Sequence, residues 1–593
     1  MIKHWRSSVF VAGIALPCFF LSLGSIHLWD EDEPKNAVCG REMFVRNDWV
    51  IPTYNDKLSL DKPVLLYWGM ILAYHFLGVT ELAARLPSAL AGVGTVVLTF
   101  HLGRLLIDAR TGLLASCLTA SALMFSVLAR GATPDSLLIL CVLFSLWSFV
   151  AGVAARRGGH FCGTPEAGAG SPRPIHEQGL PLMAWLGIYG GMGFAVLAKG
   201  PIGIVMPLGI LGTFLLFFDR TDAAPLDASW LKGWLCDFAP RRVWGVFRSL
   251  RVGWGLLLVA VIALPWYILV AVRTDGEWVT GFLGTHNIGR FMQPMEHHRG
   301  LPIYYLVAIM AGFFPGSVFL PVSLWATAKE IRNGSIRRPA AGFLLCWIGC
   351  FVGFFTLAAT KLPNYVVPCY PALAIACGSW LSAAMRKSES RGWQLWIGYG
   401  SLSIAGLAIS IALTVAARNF LNLSFDLALP GVVAMVGGII CLSLLYRKQV
   451  SASVAAFVVT CLALTLSAST YTAWRANGVQ DGPRFAARIL TASDVTAGRT
   501  PRVATCDYLP PSLVYYLGRS VERLSDPTQV SAFFDGGGSA LIMFRSTYDK
   551  NRSSFPADIA VVAEEQRFLK SQTVVLLGRA DKLARSDTNR PNR

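Results

Sequence analysis

The sequence predicts an α-helical polytopic membrane protein with a small soluble carboxy-terminal domain, and three observations carry that prediction. Of the 593 residues, 54% are hydrophobic and only 15% charged, giving a mean hydropathy of +0.51, well above that of a soluble domain. Runs of about 20 uncharged residues, each long enough to cross a bilayer, recur along the chain. The basic residues gather in short connections between those runs, the bias that accompanies membrane insertion. The formal charge of +17 would point a soluble protein towards nucleic acid, but distributed in this way it does not, and nucleic acid is excluded as a partner.

Taken in order, spans are expected at about 8–28, 82–107, 111–129, 134–154, 181–198, 201–218, 252–273, 302–325, 341–360, 363–385, 394–416, 429–446 and 451–471, about thirteen in all. The first resembles a signal peptide in having Lys3 and Arg6 before it, yet carboxylates follow it without a small-residue cleavage site, so it reads as a retained anchor. Val64 to Gly78 is apolar but only about 15 residues long and carries Tyr67, Trp68, Tyr74 and His75, which suits an interfacial helix. Leaving it out of the count puts Arg156/Arg157, Lys232/Arg241/Arg242/Arg248/Arg251, Lys329/Arg332/Arg337/Arg338, Arg386/Lys387/Arg391 and Arg447/Lys448 on the same side as Lys3 and Arg6. Glu166 to Gly179 reads as a flexible internal loop. Residues 473–593 change composition: short apolar runs at Arg502 to Thr505, Ala540 to Phe544 and Thr573 to Leu577 alternate with turn-forming stretches, predicting a small α/β domain on the external side. The 13 cysteines show no paired spacing, so neither a disulfide framework nor a zinc finger is indicated.

The same topology leaves 29–81, 130–134, 199–201, 274–301, 361–363 and 417–428 on the external face. The first holds Asp30, Glu31, Asp32 and Glu33 at the mouth of an apolar span, where a carboxylate cluster is costly unless water, cations or a substrate compensate it. Asp30 and Glu31 read as a solvated face, Asp32 and Glu33 less so. Lys62, Lys199, Arg290 and Lys361 are external cations where the insertion bias depletes them, so they are candidates to bind an anion. Each taken alone is more often a headgroup contact or snorkelling residue than a ligand contact, and it is the four on one face beside the carboxylates that point to an anion; Lys199-Gly200-Pro201 also fits a tight turn. His286, His297 and His298 lack the spacing of a metal site and read as polar loop residues.

Several pieces carry a family resemblance: Trp29-x-x-Asp32-Glu33-Pro34, Arg41-Glu42-Met43, Asn47-Asp48-Trp49, Asp61-Lys62-Pro63-x-x-x-Tyr67-Trp68 and Ala84-Arg85-Leu86-Pro87. They continue with Ala129-Arg130 and Thr133-Pro134-Asp135, Lys199-Gly200-Pro201, His286-Asn287-x-x-Arg290-Phe291 and Lys361-Leu362-Pro363-x-Tyr365. Across roughly 25–380 the chain resembles the aminoarabinose transferase and bacterial protein-mannosyltransferase-like group. The resemblance implies a GT-C glycosyltransferase fold with a 13-span domain, 1–472, whose first external loop, 29–81, is catalytic, and a periplasmic domain, 473–593. It implies a bacterial inner-membrane enzyme that uses an undecaprenyl phosphate sugar as donor and lipid A, another envelope glycan or a protein as acceptor. Catalytic roles carry over to Asp32, as base, and Glu33. The family's Glu-Lys-Pro is Asp61-Lys62-Pro63 here, and the resemblance implies a divalent metal ion at Asp61 and His286.

The residue types suit the chemistry. Displacement at an anomeric carbon passes through an oxocarbenium-like state and needs a carboxylate to take a hydroxyl proton and cations to stabilise the departing phosphate. Asp32 is the candidate base; Lys62, Arg290, Lys361 and Tyr365 are the candidate donor phosphate contacts. Arg85, Asp135 and Lys199 are expected to shape the cavity and meet the acceptor. A single displacement with inversion is expected. The competing class is a lipid or solute transporter, against which stand the absence of an inverted repeat and the gathering of charge on one face.

Overall fold

The computed structural model describes residues 5–162, 175, 179–219, 240–292, 300–301, 303–386, 392–421, 425–491, 500–568 and 570–579. The expected loop from Glu166 to Gly179, apart from Ile175 and Gly179, lies outside the described residues, as do Lys232, Lys387, Arg391, His297, His298 and the side chain of Arg290.

Hydropathy dictates most of the architecture. Among the described residues nine helices of 18 to 28 residues are long and apolar enough to cross a membrane, from Glu81–Leu106 to Val450–Asn477. Trp5–Phe20 and Ile202–Phe218 are shorter apolar helices at the places of expected spans, and two bent pairs supply the rest, so every expected span has a helical counterpart. Leu65–Leu77 is the extra apolar helix. Its rise of about 20 Å falls short of the ~30 Å hydrocarbon core, and it packs between Asp32–Val45 and Glu81–Leu106.

Two expected spans are not straight. Ala109–Ser121 and Leu123–Arg130 meet at 66°, and Tyr304–Gly312 and Gly316–Arg332 at 118°. The breaks face each other: the Leu123 N–H donates to the Phe314 carbonyl at 3.1 Å. Each bend thus uses a backbone group freed by the other, as a buried break requires.

Beyond the last apolar helix the chain forms a five-stranded sheet in the order Glu522–Leu524, Val503–Cys506, Ala540–Phe544, Thr573–Arg579, Ile559–Gln566. The first three strands are parallel and the last two pair antiparallel. The expected apolar runs are its three central strands, whose side chains are buried because both faces are covered. Cys39 and Cys506 are buried free thiols. Helix Pro511–Leu517 packs on Asp32–Val45, and Arg41 fastens the contact by donating to the carbonyls of Val514 and Tyr515.

Candidate active site

The first external loop is a helix and a return arm. Asp32 and Glu33 open the helix Asp32–Val45, where carboxylates complement the unpaired N–H groups and the helix dipole. The helical period sets Asp32, Lys35 and Asn36 on one face. The return arm is pinned at several points. Glu42 accepts the Asn55 N–H at 2.8 Å, and Arg273 forks onto Asp48 at 2.8 and 3.1 Å. The indole of Trp266 donates to Val50 O and that of Trp278 to Ser59 O. Asp61 and Lys62 follow directly and are thereby fixed opposite the helix face.

Between them opens a cavity of about 1100 Å³. Five carboxylates line it, Asp30, Glu31, Asp32, Asp61 and Asp135, together with Lys35, Lys62, Lys199, His286 and Tyr365. Four of the five are engaged. Asp30 accepts both the N–H and the hydroxyl of Ser512, and Glu31 meets Arg567 at 3.1 Å. Asp61 is paired with Lys35 and lies 3.3 Å from His286 Nε2. Asp135 holds Lys199 at 2.5 Å and accepts from Asn364 at 3.3 Å. Asp32, exposed to the cavity, has no side-chain partner among the described residues.

Burial pushes the Asp61 carboxyl up, but Lys35, then His286 and Lys62, more than offset it and hold the group below its ordinary value. The Lys199 ammonium also lies 5.5 Å from the centre of the Tyr365 ring. Gly200 (φ +86°) turns the chain there, and a Cβ on it would stand 2.8 Å from the Phe282 ring; the tight turn and the place of Lys199 in the cavity lining are compatible. The π-helix Gly281–Gly289 brings His286 and Asn287 to the wall. From this polar end the cavity continues along Ile202, Val205, Phe282, Leu283, Phe351 and Phe354, an apolar surface suited to a hydrocarbon chain.

Several expected site residues stand elsewhere. Glu33 does not line the cavity: its carboxylate takes two bonds from Arg85, at 2.6 and 3.1 Å, and one from the Trp29 N–H. Arg85, 3% exposed, also donates to the carbonyls of Leu23, Ile26 and His27, so the pair fastens the end of the first span and stands outside the cavity lining. Lys361 spends its ammonium on the carbonyls of Phe355, Thr356 and Ala358, closing the end of helix Arg338–Leu357, whose last carbonyls have no intrahelical donor. Asp30 is not on a solvated face but is clamped to the carboxy-terminal domain, where burial raises its carboxyl to about 6. Lys35 was not anticipated. The signal for it was its position three residues after Asp32 in a helix.

The residues at Asp61 and His286 do not compose a metal site. They supply two candidate ligands, and the Lys35 ammonium already contacts the Asp61 carboxylate with Lys62 alongside. Among the described residues no group of three or more His, Cys, Asp or Glu is arranged to hold a metal ion.

Comparison with known proteins points in one direction. The family described as dolichyl-phosphate-mannose-protein mannosyltransferase matches residues 61–167. An undecaprenyl phosphate-alpha-4-amino-4-deoxy-L-arabinose arabinosyl transferase of Pectobacterium atrosepticum is 27% identical over 76% of this chain and 72% of its own length. A homonymous protein of Yersinia pestis is 25% identical over 63% of this chain and 59% of its own. The crystal structure of ArnT from Cupriavidus metallidurans bound to undecaprenyl phosphate superposes with a TM-score of 0.72 at 23% identity, covering 97% of this chain and 98% of that one. The fold is therefore GT-C.

Proposed function

We infer that this chain, which shares the GT-C fold with ArnT and resembles the aminoarabinose transferases, moves a sugar from an undecaprenyl phosphate carrier to an envelope acceptor. The sugar is 4-amino-4-deoxy-L-arabinose, the one the relatives' names carry, or a close analogue, and lipid A is the acceptor that the family resemblance implies. The single observation that carries the reading is the cavity itself: a carboxylate unengaged among the described residues shares its polar lining with three lysines, and the rest of the lining is largely apolar.

In this reading the polyprenyl tail lies along Phe282, Phe351 and Phe354, and the donor phosphate meets Lys62, Lys199 and Tyr365, with Lys35 beside them. The acceptor oxygen attacks the anomeric carbon from the face opposite the phosphate. The C–O bond to phosphate breaks as the new bond forms, and configuration inverts. A hydroxyl acceptor gives its proton to Asp32, a step worth typically 10²–10⁴-fold. The phosphate monoester leaves without a proton from the enzyme, because the lysines stabilise its growing charge. The division at 472/473 separates the spans that build the donor cavity from the domain that contacts its rim at Asp30 and Glu31. The cavity and that domain face the periplasm, and the basic connections face the cytoplasm, in keeping with the insertion bias.

A protein acceptor is the second reading, favoured by the match of residues 61–167 to the mannosyltransferase family. Incubating the purified chain with radiolabelled undecaprenyl phosphate sugars and envelope extracts tests both. Label in a glycolipid supports the first, label in protein the second. Absence of any covalent product across a broad donor set would leave the transporter.

A further inference from the structure

We propose that the carboxy-terminal domain is a positioning element for Asp32, acting through Ser512 on Asp30 and Arg567 on Glu31. The proposal rests on the reading of Asp32 as the base.

The five residues before Asp32 are each held by the carboxy-terminal segment. The His27 N–H donates to the Asn477 side chain at 2.7 Å, and the Leu28 N–H to the Tyr516 hydroxyl at 2.9 Å. Trp29 meets the Phe568 ring edge-on at 5.4 Å. Asp30 takes the Ser512 N–H at 2.9 Å and the Ser512 hydroxyl. Glu31 meets Arg567 at 3.1 Å. The holding residues are themselves braced: Arg567 lies over the Tyr508 ring at 4.8 Å, and Asp481 ties Tyr508 to the Phe568 N–H at 2.9 and 3.1 Å.

Among the described residues Asp32 has no such side-chain bond of its own. Its place in the cavity is therefore set by the backbone on either side, the helix behind it and the clamped strand of chain ahead of it. A base acts only within hydrogen-bond reach of its proton, and a displacement of about 1 Å is enough to cost on the order of 100-fold. Ser512, fully buried, is the anchor. Arg567 adds orientation from the rim, since the Glu31 side chain is 73% exposed.

The test uses the full chain in lipid nanodiscs with an undecaprenyl phosphate sugar as donor, comparing wild type with Asp30→Ala, Arg567→Glu and the exchange Glu31→Lys with Arg567→Glu. The expected result is a kcat at least tenfold lower for Asp30→Ala with donor KM within twofold. Amide exchange across residues 27–36 rises, and kcat recovers in the charge exchange relative to Arg567→Glu. Unchanged kcat in Asp30→Ala, or a fall matched by loss of donor binding, would overturn the proposal. Should Asp30→Ala not fold, the exposed Glu31–Arg567 pair decides alone: no recovery in the exchange overturns it. A wild type without transferase activity would instead defeat the glycosyltransferase reading, and amide exchange would still report the clamp.

Discussion

Lys199 and Asp135 make the pair in which structural and chemical roles are easiest to separate. The contact is 2.5 Å long, and the two side chains are 17% and 9% exposed. Removing one partner of a buried pair costs about 3–5 kcal/mol; because the cavity admits water, the lower end, about 3 kcal/mol, applies to Lys199→Met, which strands the less exposed carboxylate. Asp135→Asn strands the more exposed ammonium and should cost no more than that, at most about 3 kcal/mol. The double variant removes both charges and should regain most of the stability. Its transfer rate should not return, since a cation facing the departing phosphate is worth roughly 10²-fold or more. Thermal unfolding of the purified chain and transfer from a labelled donor measure the two quantities side by side. A double variant that transfers sugar as well as wild type would show the pair to be purely structural and would refute Lys199 as a phosphate contact.

Lys35→Met should slow transfer roughly 30-fold, from about 4 kcal/mol per unit charge at 4 Å and an effective dielectric of 20, halved because the leaving charge is half developed. Chelators should leave the wild-type rate unchanged, because Lys35 supplies positive charge at Asp61; chelator-sensitive transfer by metal-depleted protein, restored by a divalent ion, would contradict this. Arg85→Met should destabilise the chain by several kcal/mol through its lost buried bonds while leaving donor KM unchanged in whatever fraction folds; a raised KM at full stability would return Arg85 to the substrate site. For Asp30, burial raises the docked carboxyl to about 6 from 3.8, with Ser512 lowering it and Asp481 and Glu31 raising it, while Arg567, Tyr508 and Tyr54 stand nearby. The docked state therefore binds a proton that the undocked state lacks between about pH 4 and 6. Docking should strengthen as pH falls through 6 and weaken as it rises. Amide exchange of residues 27–31, corrected for intrinsic rates, should slow from pH 7 to 5 in wild type and not in Asp30→Asn; faster exchange at pH 5 would be contrary.

Hydropathy made the spans legible because crossing a bilayer constrains length and composition so strongly. It could not reveal the two bends, whose freed backbone groups meet in a bond between Leu123 and Phe314, nearly two hundred positions apart. The site divides in the same way. Loop charge located the cavity face, and Asp32, Asp61, Lys62, Asp135, Lys199, His286 and Tyr365 do line one cavity. Yet a sequence does not distinguish a lysine that lines a cavity from one that closes a helix, so Lys361 was indistinguishable from Lys62. Glu33 beside Asp32 looked like a second catalytic carboxylate because alternation along the first turn of a helix, which points it at Arg85, appears only once the helix is placed. Lys35 was within reach of helical periodicity. Ser512 and Arg567 were not, since nothing local marks a contact across some 480 to 540 residues.

The most direct test of the account is transfer from a labelled undecaprenyl phosphate sugar by wild type and Asp32→Asn in parallel, both shown to be folded and to bind donor equally. The account predicts label in an envelope acceptor for wild type and a rate at least 100-fold lower for the variant, the range expected when a general base is removed. Equal rates would contradict it and remove Asp32 as the base.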